Sequence, residues 1–195
     1  MTSINSNRKS LSFGIGINDA EYFVRKNING KQVTCPFYVK WSSMLRRCYS
    51  PLFQSKNPTY NGCKVSKDWL SFMSFREWMN EQDWLGNALD KDLLIKGNKI
   101  YSPETCLFVP HWINNLTCER DRFRGKYPLG VCFDRSSMNY KAQIRLEKKM
   151  KNLGRFSTSV EAATAYKIAK KEKLREAAFQ QSDYKTAKAL LSYTP

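Results

Sequence analysis

Apolar and polar positions alternate along residues 140–145, which read Tyr-Lys-Ala-Gln-Ile-Arg. A period of two predicts a β-strand with one buried and one exposed face. The exposed face then carries Lys141, Gln143 and Arg145. These residue types bind phosphates and base edges in the major groove of DNA, and a ribbon of two or three strands fits that groove. The pattern indicates a DNA-reading sheet, to which an ordinary basic sheet surface is the alternative.

The segment after these strands has the pattern of a capped helix. Thr158 and Glu161 are spaced as in a capping box, in which each residue satisfies a backbone N–H of the other. Small residues follow on a low-profile face against which a sheet can lie: Ala162, Ala163, Ala165 and Ala169. The C-terminal part therefore predicts a small sheet backed by one helix, with a further short helix over 182–192.

Apolar residues recur at helical spacing in two segments of the N-terminal half, residues 38–49 and residues 68–82. The second segment carries an aromatic stripe, which we interpret as core rather than as a platform for stacked bases. Its members are Trp69, Phe72, Phe75, Trp78 and Met79. Asn29-Gly30 predicts a hairpin turn, whereas the turn-forming residues of 50–59 predict a loop.

Residues 89–116 have a different pattern. A strand over 89–95, a turn at Gly97-Asn98, a strand over 106–109 and a helix that opens at Pro110 follow one another. Residues 119–126 are highly charged and predict a linker between two modules. We therefore expect an α+β protein, with a strand–strand–helix core and flanking helices before the C-terminal sheet and its helix.

The formal net charge of +16 on 195 residues favours polyanionic partners. Residues 119–195 contain 18 Lys and Arg against 8 Asp and Glu, and residues 1–118 contain 15 against 9. Ribosome-associated and membrane-surface proteins share such an excess, so charge by itself does not choose among these partners. We expect no membrane span, because no run of about 18 apolar residues occurs, and a cytoplasmic protein, because the first residues lack a secretory signal.

The six cysteines include no Cys-x-x-Cys pair, and no export signal accompanies them. Disulfides are therefore unexpected, and cysteines at such wide spacing are usually small buried apolar residues. A structural zinc site is the alternative, because ligands can converge from distant segments. Its ligands would be Cys48, Cys63, Cys106 and Cys118.

The C-terminal segment resembles the ethylene-response-factor (Apetala-two) DNA-binding domain, a three-stranded sheet packed on one helix. The matching segments are Gly130-Val131, residues 142–145 (AQIR), residues 153–156 (LGRF) and residues 160–166. In that family the sheet reads DNA through arginines and tryptophans, and Arg145 falls on a DNA-contacting arginine. Gln143, Cys132 and Asn152 replace the usual glutamate, arginine and tryptophan. The resemblance therefore implies the fold rather than the plant family's sequence preference.

Residues 89–116 resemble the HNH (ββα-metal) nuclease core, and the surrounding chain resembles HNH-like proteins of bacteriophages. The segments that carry this wider resemblance are residues 38–49, 60–62, 65–75 and 89–106. Such proteins often carry the same DNA-binding domain at the C-terminus, as homing endonucleases do. The resemblance divides the chain into an N-terminal extension (1–36), an HNH-like domain (37–118) and an ERF-type domain (119–195), and implies a bacterial host cytoplasm.

In the HNH pattern an Asp-His pair ends the first strand, an Asn orders the loop, and a His or Asn on the helix completes the metal site. Asp90, Asn98 and Asn114 match these positions, and His111, the only histidine, lies three residues before Asn114. Lys91 occupies the position of the catalytic His. A lysine with a pKa of roughly 10.4 is protonated at neutral pH and a poor base. Asp90 and its neighbour Asp92 favour that charged form, so we expect a degenerate core.

Three hypotheses follow. In the first, the protein binds double-stranded DNA through Lys141, Gln143 and Arg145, and further residues contact the DNA or its backbone: Arg135, Lys149, Lys151, Asn152, Arg46, Arg47 and Lys91. In the second, it is a site-specific endonuclease or nickase that uses Mg²⁺ or another divalent metal. Its catalytic residues would be Asp90, Lys91, Asp92 and Asn98, and its metal ligands Asp90, His111 and Asn114. In the third, it is a phage adaptor or inhibitor that binds RNA or a host protein.

Overall fold

The computed structural model describes residues 11–118, 126–146, 149–181 and 183–194. Helices and several small sheets are both present, so the fold is α+β as expected. Contacts along the backbone divide the chain into two compact units. The first unit contains the residues up to Leu85 together with Leu89–Phe108, and the second contains Gly86–Ala88 together with the residues from Val109 onwards.

Two small hairpins begin the first unit. Strand β1 (Leu11–Ser12) pairs with β2 (Gly16–Ile17), and β3 (Arg25–Ile28) pairs with β4 (Lys31–Thr34). Asn29 and Gly30 connect β3 and β4 with φ angles of +51° and +76°. Two successive positive φ angles are what a tight two-residue hairpin turn requires, and the hairpin predicted at Asn29-Gly30 is confirmed.

Three helices follow: α1 (Pro36–Tyr49), α2 (Pro51–Lys56) and α3 (Phe72–Asn80). Helix α2 lies inside the segment that the sequence predicts as a loop. The helix predicted over about 68–82 is present but shorter, because Ser71 separates α3 from a short 3-10 turn over Asp68–Leu70. The Ser71 hydroxyl accepts a hydrogen bond from the Ser74 N–H at 3.1 Å, which caps α3 at its start.

The aromatic stripe lies in the core of the first unit, as predicted. Trp69, Phe72, Phe75 and Met79 are at most 1% exposed, and Trp78 packs against them. The indole N–H of Trp41 on α1 donates to the backbone oxygen of Trp69 at 2.8 Å, so the two elements are joined by a hydrogen bond inside apolar packing.

Short strands lie on both sides of α3 in the chain. Strand β5 (Lys64–Val65) pairs in parallel with β7 (Ile100–Tyr101), and β6 (Asn87–Asp90) shares a two-stranded sheet with β8 (Leu107–Pro110), which leads into α4 (His111–Thr117). The order strand, loop, strand, helix agrees with the sequence, but the first strand ends at Asp90 rather than at residue 95.

The second unit contains a three-stranded antiparallel sheet in the order β11-β10-β9. Its strands are β9 (Val131–Asp134), β10 (Asn139–Leu146) and β11 (Lys149–Phe156). Helix α5 (Ser159–Phe179) packs on all three strands, and α6 (Tyr184–Ser192) packs on α5. Thr158 and Glu161 form the predicted capping box at the start of α5. A sheet backed by one helix is therefore present where the sequence predicts it.

No helix within the described residues is long and apolar enough to span a bilayer.

Candidate nucleic-acid interface

The two faces of β10 differ in burial as the sequence pattern predicts. Ala142 and Ile144 are 0% and 1% exposed on the face covered by α5. Lys141 and Gln143 are half-buried and Arg145 is exposed on the opposite face, which we call the outer face. The predicted alternation is confirmed, and the three polar side chains share one surface.

Cross-strand pairing adds residues from β9 and β11 to the outer face. Lys141 lies opposite Cys132 on one side and Arg155 on the other, and Gln143 lies opposite Asn152. Residues directly opposite each other in a sheet present their side chains on the same face. The sequence reasoning missed Arg155 as a candidate binding residue, although its place between Gly154 and Phe156 in an alternating segment was a signal for it.

A register shift between β10 and β11 decides which β11 residues share this surface. The shift lies at Ala142/Gln143, and beyond it Ile144 pairs with Lys151 and Leu146 with Lys149. Both lysines are exposed, but their partners belong to the face covered by α5. The structure therefore does not place Lys149 and Lys151 beside Lys141 and Arg145.

The outer face is basic with one acidic residue. Asp134 is the only acidic residue among the described residues of the three strands, and its Oδ2 accepts a hydrogen bond from Arg155 Nε at 3.3 Å. Hydrogen bonds from the Ser136 hydroxyl and backbone N–H, together with Arg155, lower the pKa of Asp134 to about 2. Arg155 is thus held over the sheet with donors left for a ligand, and Arg135 is exposed in the turn after β9.

Arg145 also lines a cavity of about 350 Å³ inside the second unit. Trp112 and Asn115 of α4 and Tyr166 of α5 line the same cavity. Aromatic rings therefore lie beside a guanidinium and an amide in this cavity, next to one of the three residues of β10 that were predicted to contact DNA. Helix α4 therefore packs against the sheet that carries the outer face.

The loop over residues 90–98, which we call the 90–98 loop, begins at a buried carboxylate. Asp90 is 7% exposed, and its Oδ1 accepts the backbone N–H groups of Asp92 at 2.8 Å and Leu93 at 2.7 Å. Burial raises the pKa of Asp90, while these two hydrogen bonds oppose the increase. The carboxylate turns the chain, which explains why β6 ends at Asp90.

Lys91 and Asn98 join the two ends of this loop. The Lys91 ammonium is buried and donates to Asp92 Oδ1 and to the backbone oxygen of Asn98, both at 2.6 Å. The Asn98 amide donates to the backbone oxygens of Lys91 at 2.9 Å and Ile100 at 2.6 Å. Asn98 thus orders the loop. The Lys91 side chain is buried and its ammonium is bonded inside the loop, so it is not exposed as the predicted DNA contact would require.

The predicted metal ligands Asp90, His111 and Asn114 fit a divalent metal poorly. The 90–98 loop combines one buried carboxylate, already bonded through Oδ1, with a fixed ammonium that would repel a cation. His111 is exposed and Asn114 half-buried on α4, in the second unit. In the part of the chain that the structure describes, no three His, Cys, Asp or Glu side chains are grouped as metal ligands.

Three of the four cysteines in the first unit are buried among apolar residues. Cys48, Cys63 and Cys106 are at most 5% exposed and are not joined by disulfides. Burial raises the pKa of Cys48 and of Cys106 to about 12, so these thiols stay protonated at neutral pH. Cys118 is exposed in the second unit. This favours packing over the zinc alternative.

The two arginines predicted to contact DNA from α1 have different environments. Arg46 is exposed, with its guanidinium 4.8 Å from the centroid of the Phe53 ring. Arg47 is half-buried and donates to the Tyr101 hydroxyl at 3.4 Å, near the ring of Tyr60. Arg47 therefore supports the core, and of this pair only Arg46 is placed to meet a ligand.

Comparison with protein-family models, with curated proteins and with solved structures found no match to the chain.

Proposed function

We propose that the protein binds double-stranded DNA through the outer face of the C-terminal sheet. The observation that carries this proposal is the grouping of Lys141, Gln143, Arg145, Asn152 and Arg155 on one face. Three adjacent strands are about 10 Å across, and the major groove of B-DNA is about 12 Å wide. The sheet is therefore narrow enough to enter the major groove, and its outer face carries side chains that can bind base edges and phosphates there.

The side chains of the outer face divide by chemistry. Arginine binds guanine and glutamine binds adenine through paired hydrogen bonds, so Arg145 and Gln143 would read base edges. Lys141 and Arg155 would contact phosphates, which position the protein without sequence preference. This arrangement agrees with the resemblance to the ERF-type domain, whose sheet also reads DNA. In this protein the C-terminal sheet and its helix would be the module that locates the DNA site.

We further propose that the 90–98 loop belongs to an HNH-like core that no longer hydrolyses DNA. The positions of Asp90 and Asn98 agree with the HNH pattern and are the observations in favour of the Mg²⁺-dependent nickase. Lys91 argues against that alternative, because an ammonium bonded to Asp92 and to a backbone oxygen does not activate water.

Face-matched variants test DNA binding. In fluorescence anisotropy with random and selected duplexes, we expect Arg145→Ala to lose about 10-fold in affinity and to lose preference at one base pair. Arg175→Ala, an exposed arginine on α5, is the matched control and should bind as the unmodified protein does. Unchanged affinity in Arg145→Ala would overturn the proposed interface, and tighter binding to single-stranded or duplex RNA would favour the adaptor hypothesis.

A second pair of variants, Lys141→Ala and Lys151→Ala, compares the two faces of the sheet directly. Lys141→Ala should reduce the salt dependence of binding by about one phosphate equivalent. Lys151→Ala removes the same charge from the other face and should leave that dependence unchanged. Equal effects of the two variants would show that the register of β11 does not define the interface.

A further inference from the structure

The hairpin formed by β3 and β4 contributes no buried side chain to the core of the first unit. Every position from Arg25 to Val33 is exposed, and the apolar members Ile28 and Val33 are 51% and 49% exposed. An isolated two-stranded hairpin is only marginally stable in water. A ribbon of this length, exposed along both strands, therefore has the form of an element that packs against a partner.

The charge of this hairpin selects the kind of partner. Arg25, Lys26 and Lys31 are cationic, and residues 25–34 contain no acidic residue. A surface with three positive charges in ten residues and no counter-charge attracts a polyanion rather than an apolar or cationic protein surface.

The two faces of the hairpin differ in their hydrogen-bonding capacity. Arg25 pairs with Thr34, and Asn27 pairs with Gln32, so these four polar side chains share one face. Arginine, asparagine and glutamine are the side chains that make paired hydrogen bonds to guanine and adenine in the major groove. Lys26, Ile28, Lys31 and Val33 share the other face.

A cavity of about 350 Å³ lies at the base of this polar face, inside the first unit. Arg25 and Thr34 of the hairpin and Ser42, Ser43 and Arg46 of α1 line it, and no acidic residue does. The Arg25 guanidinium lies 5.7 Å from the centroid of the Tyr38 ring, which orients it. Neither arginine takes part in an ion pair with another described residue. Two guanidinium groups with three hydroxyl groups form a site suited to a phosphate.

We propose that this hairpin is a second DNA-binding element, inserted into the major groove of duplex DNA. The polar face meets the base edges, and one backbone phosphate is bound between Arg25 and Arg46. B-form DNA is the partner because its major groove admits a two-stranded ribbon, whereas the major groove of A-form RNA does not. The inference rests on the proposed function and extends DNA contact to the first unit, independently of the C-terminal sheet.

The test uses the full chain and a double variant, Arg25→Ala with Arg46→Ala. We expect the affinity for duplex DNA to fall about 10-fold or more and the salt dependence to decrease by about one phosphate equivalent. Lys64→Ala with Lys67→Ala removes the same charge from exposed positions of the same unit and is the control. An unchanged circular dichroism spectrum verifies that the variants are folded.

A charge-neutral pair tests base contact. Asn27→Ala with Gln32→Ala should alter the preferred DNA sequence, whereas Ile28→Ala with Val33→Ala, on the other face, should not. If the unmodified protein binds duplex DNA and both hairpin variants bind equally well, the second element is refuted while the sheet interface stands. If the unmodified protein does not bind duplex DNA, the proposed function itself fails. Tighter binding to duplex RNA also refutes the groove assignment.

Discussion

The Lys91 ammonium should stabilise the first unit as an internal cation, and its replacement by methionine tests this. Met keeps the apolar length of the side chain but removes the hydrogen bonds to Asp92 and to the Asn98 backbone oxygen. A hydrogen bond to a charged group contributes about 1.5–3 kcal/mol, but removing the charge also removes its desolvation penalty. We therefore expect Lys91→Met to lower the free energy of unfolding by about 1–2 kcal/mol.

Removal of the partner should cost more than removal of the lysine. In Asp92→Ala the ammonium, whose side chain is 7% exposed, stays buried with only the Asn98 backbone oxygen as acceptor. Breaking a buried ion pair from one side costs about 3–5 kcal/mol, and the 53% exposure of Asp92 reduces this value. We expect a loss of about 2–4 kcal/mol for Asp92→Ala, and a double variant that loses less than the sum of the two.

Urea unfolding followed by tryptophan fluorescence measures these changes, because four of the five tryptophans lie in the first unit. Lys67→Met, at an exposed lysine of the same unit, is the control and should change stability by less than about 0.5 kcal/mol. If Lys91→Met lowers the free energy of unfolding no more than this control, or more than Asp92→Ala does, the Lys91 ammonium does not stabilise the first unit as an internal cation.

Three further outcomes are expected. Gly130→Ala should destabilise the second unit by about 2 kcal/mol or more, because Gly130 has φ +78° and a Cβ there would overlap the Tyr166 ring. Gly97 has φ +75° but open space around it, so Gly97→Ala should lower the free energy of unfolding by only about 1 kcal/mol in thermal or urea unfolding. Equal losses of stability in the two variants would exclude the close approach of Gly130 to Tyr166. Because the pKa of Asp134 is lowered to about 2, its stabilising effect is present above about pH 4 and is lost as pH falls towards 2. In Asp134→Asn the loss of stability between about pH 4 and pH 2, followed by circular dichroism, should therefore be smaller. An unchanged acid transition would show that the Asp134 carboxylate does not stabilise the fold. With Mg²⁺ or Mn²⁺, supercoiled plasmid should stay intact, and cleavage that disappears in Asp90→Ala would establish the endonuclease instead.

Local patterns anticipated much of the architecture. The alternation around Ala142 and Ile144 predicted their burial, and the capping box at Thr158 predicted where α5 begins. Each signal depends on neighbours within a few residues, which a sequence displays directly. The break at Ser71 was missed, because an N-cap inside an aromatic stripe is read from hydrogen bonding and not from periodicity.

The candidate binding residues divide in the same way. Lys141, Gln143 and Arg145 were assigned to one face from the period of a single strand. The pairing between β10 and β11 adds Arg155 to this face. The register shift in that pairing places Lys151 opposite Ile144, on the other face. A shift of one residue moves a side chain to the other face, and the alternation of residues within β11 does not by itself specify where the shift occurs.

The sequence by itself determined the residue types, the basic charge, the order of the elements and the presence of a lysine between Asp90 and Asp92. The tertiary structure decided what those residues contact. It placed the Lys91 ammonium inside the 90–98 loop, turned Arg47 towards Tyr101, and left the hairpin residues from Arg25 to Val33 exposed on both faces. The physical reason is that burial depends on segments distant in the chain, and the contacts of a charged side chain depend on how the backbone turns around it, even within the 90–98 loop. Periodicity and capping, in contrast, depend only on near neighbours in the sequence.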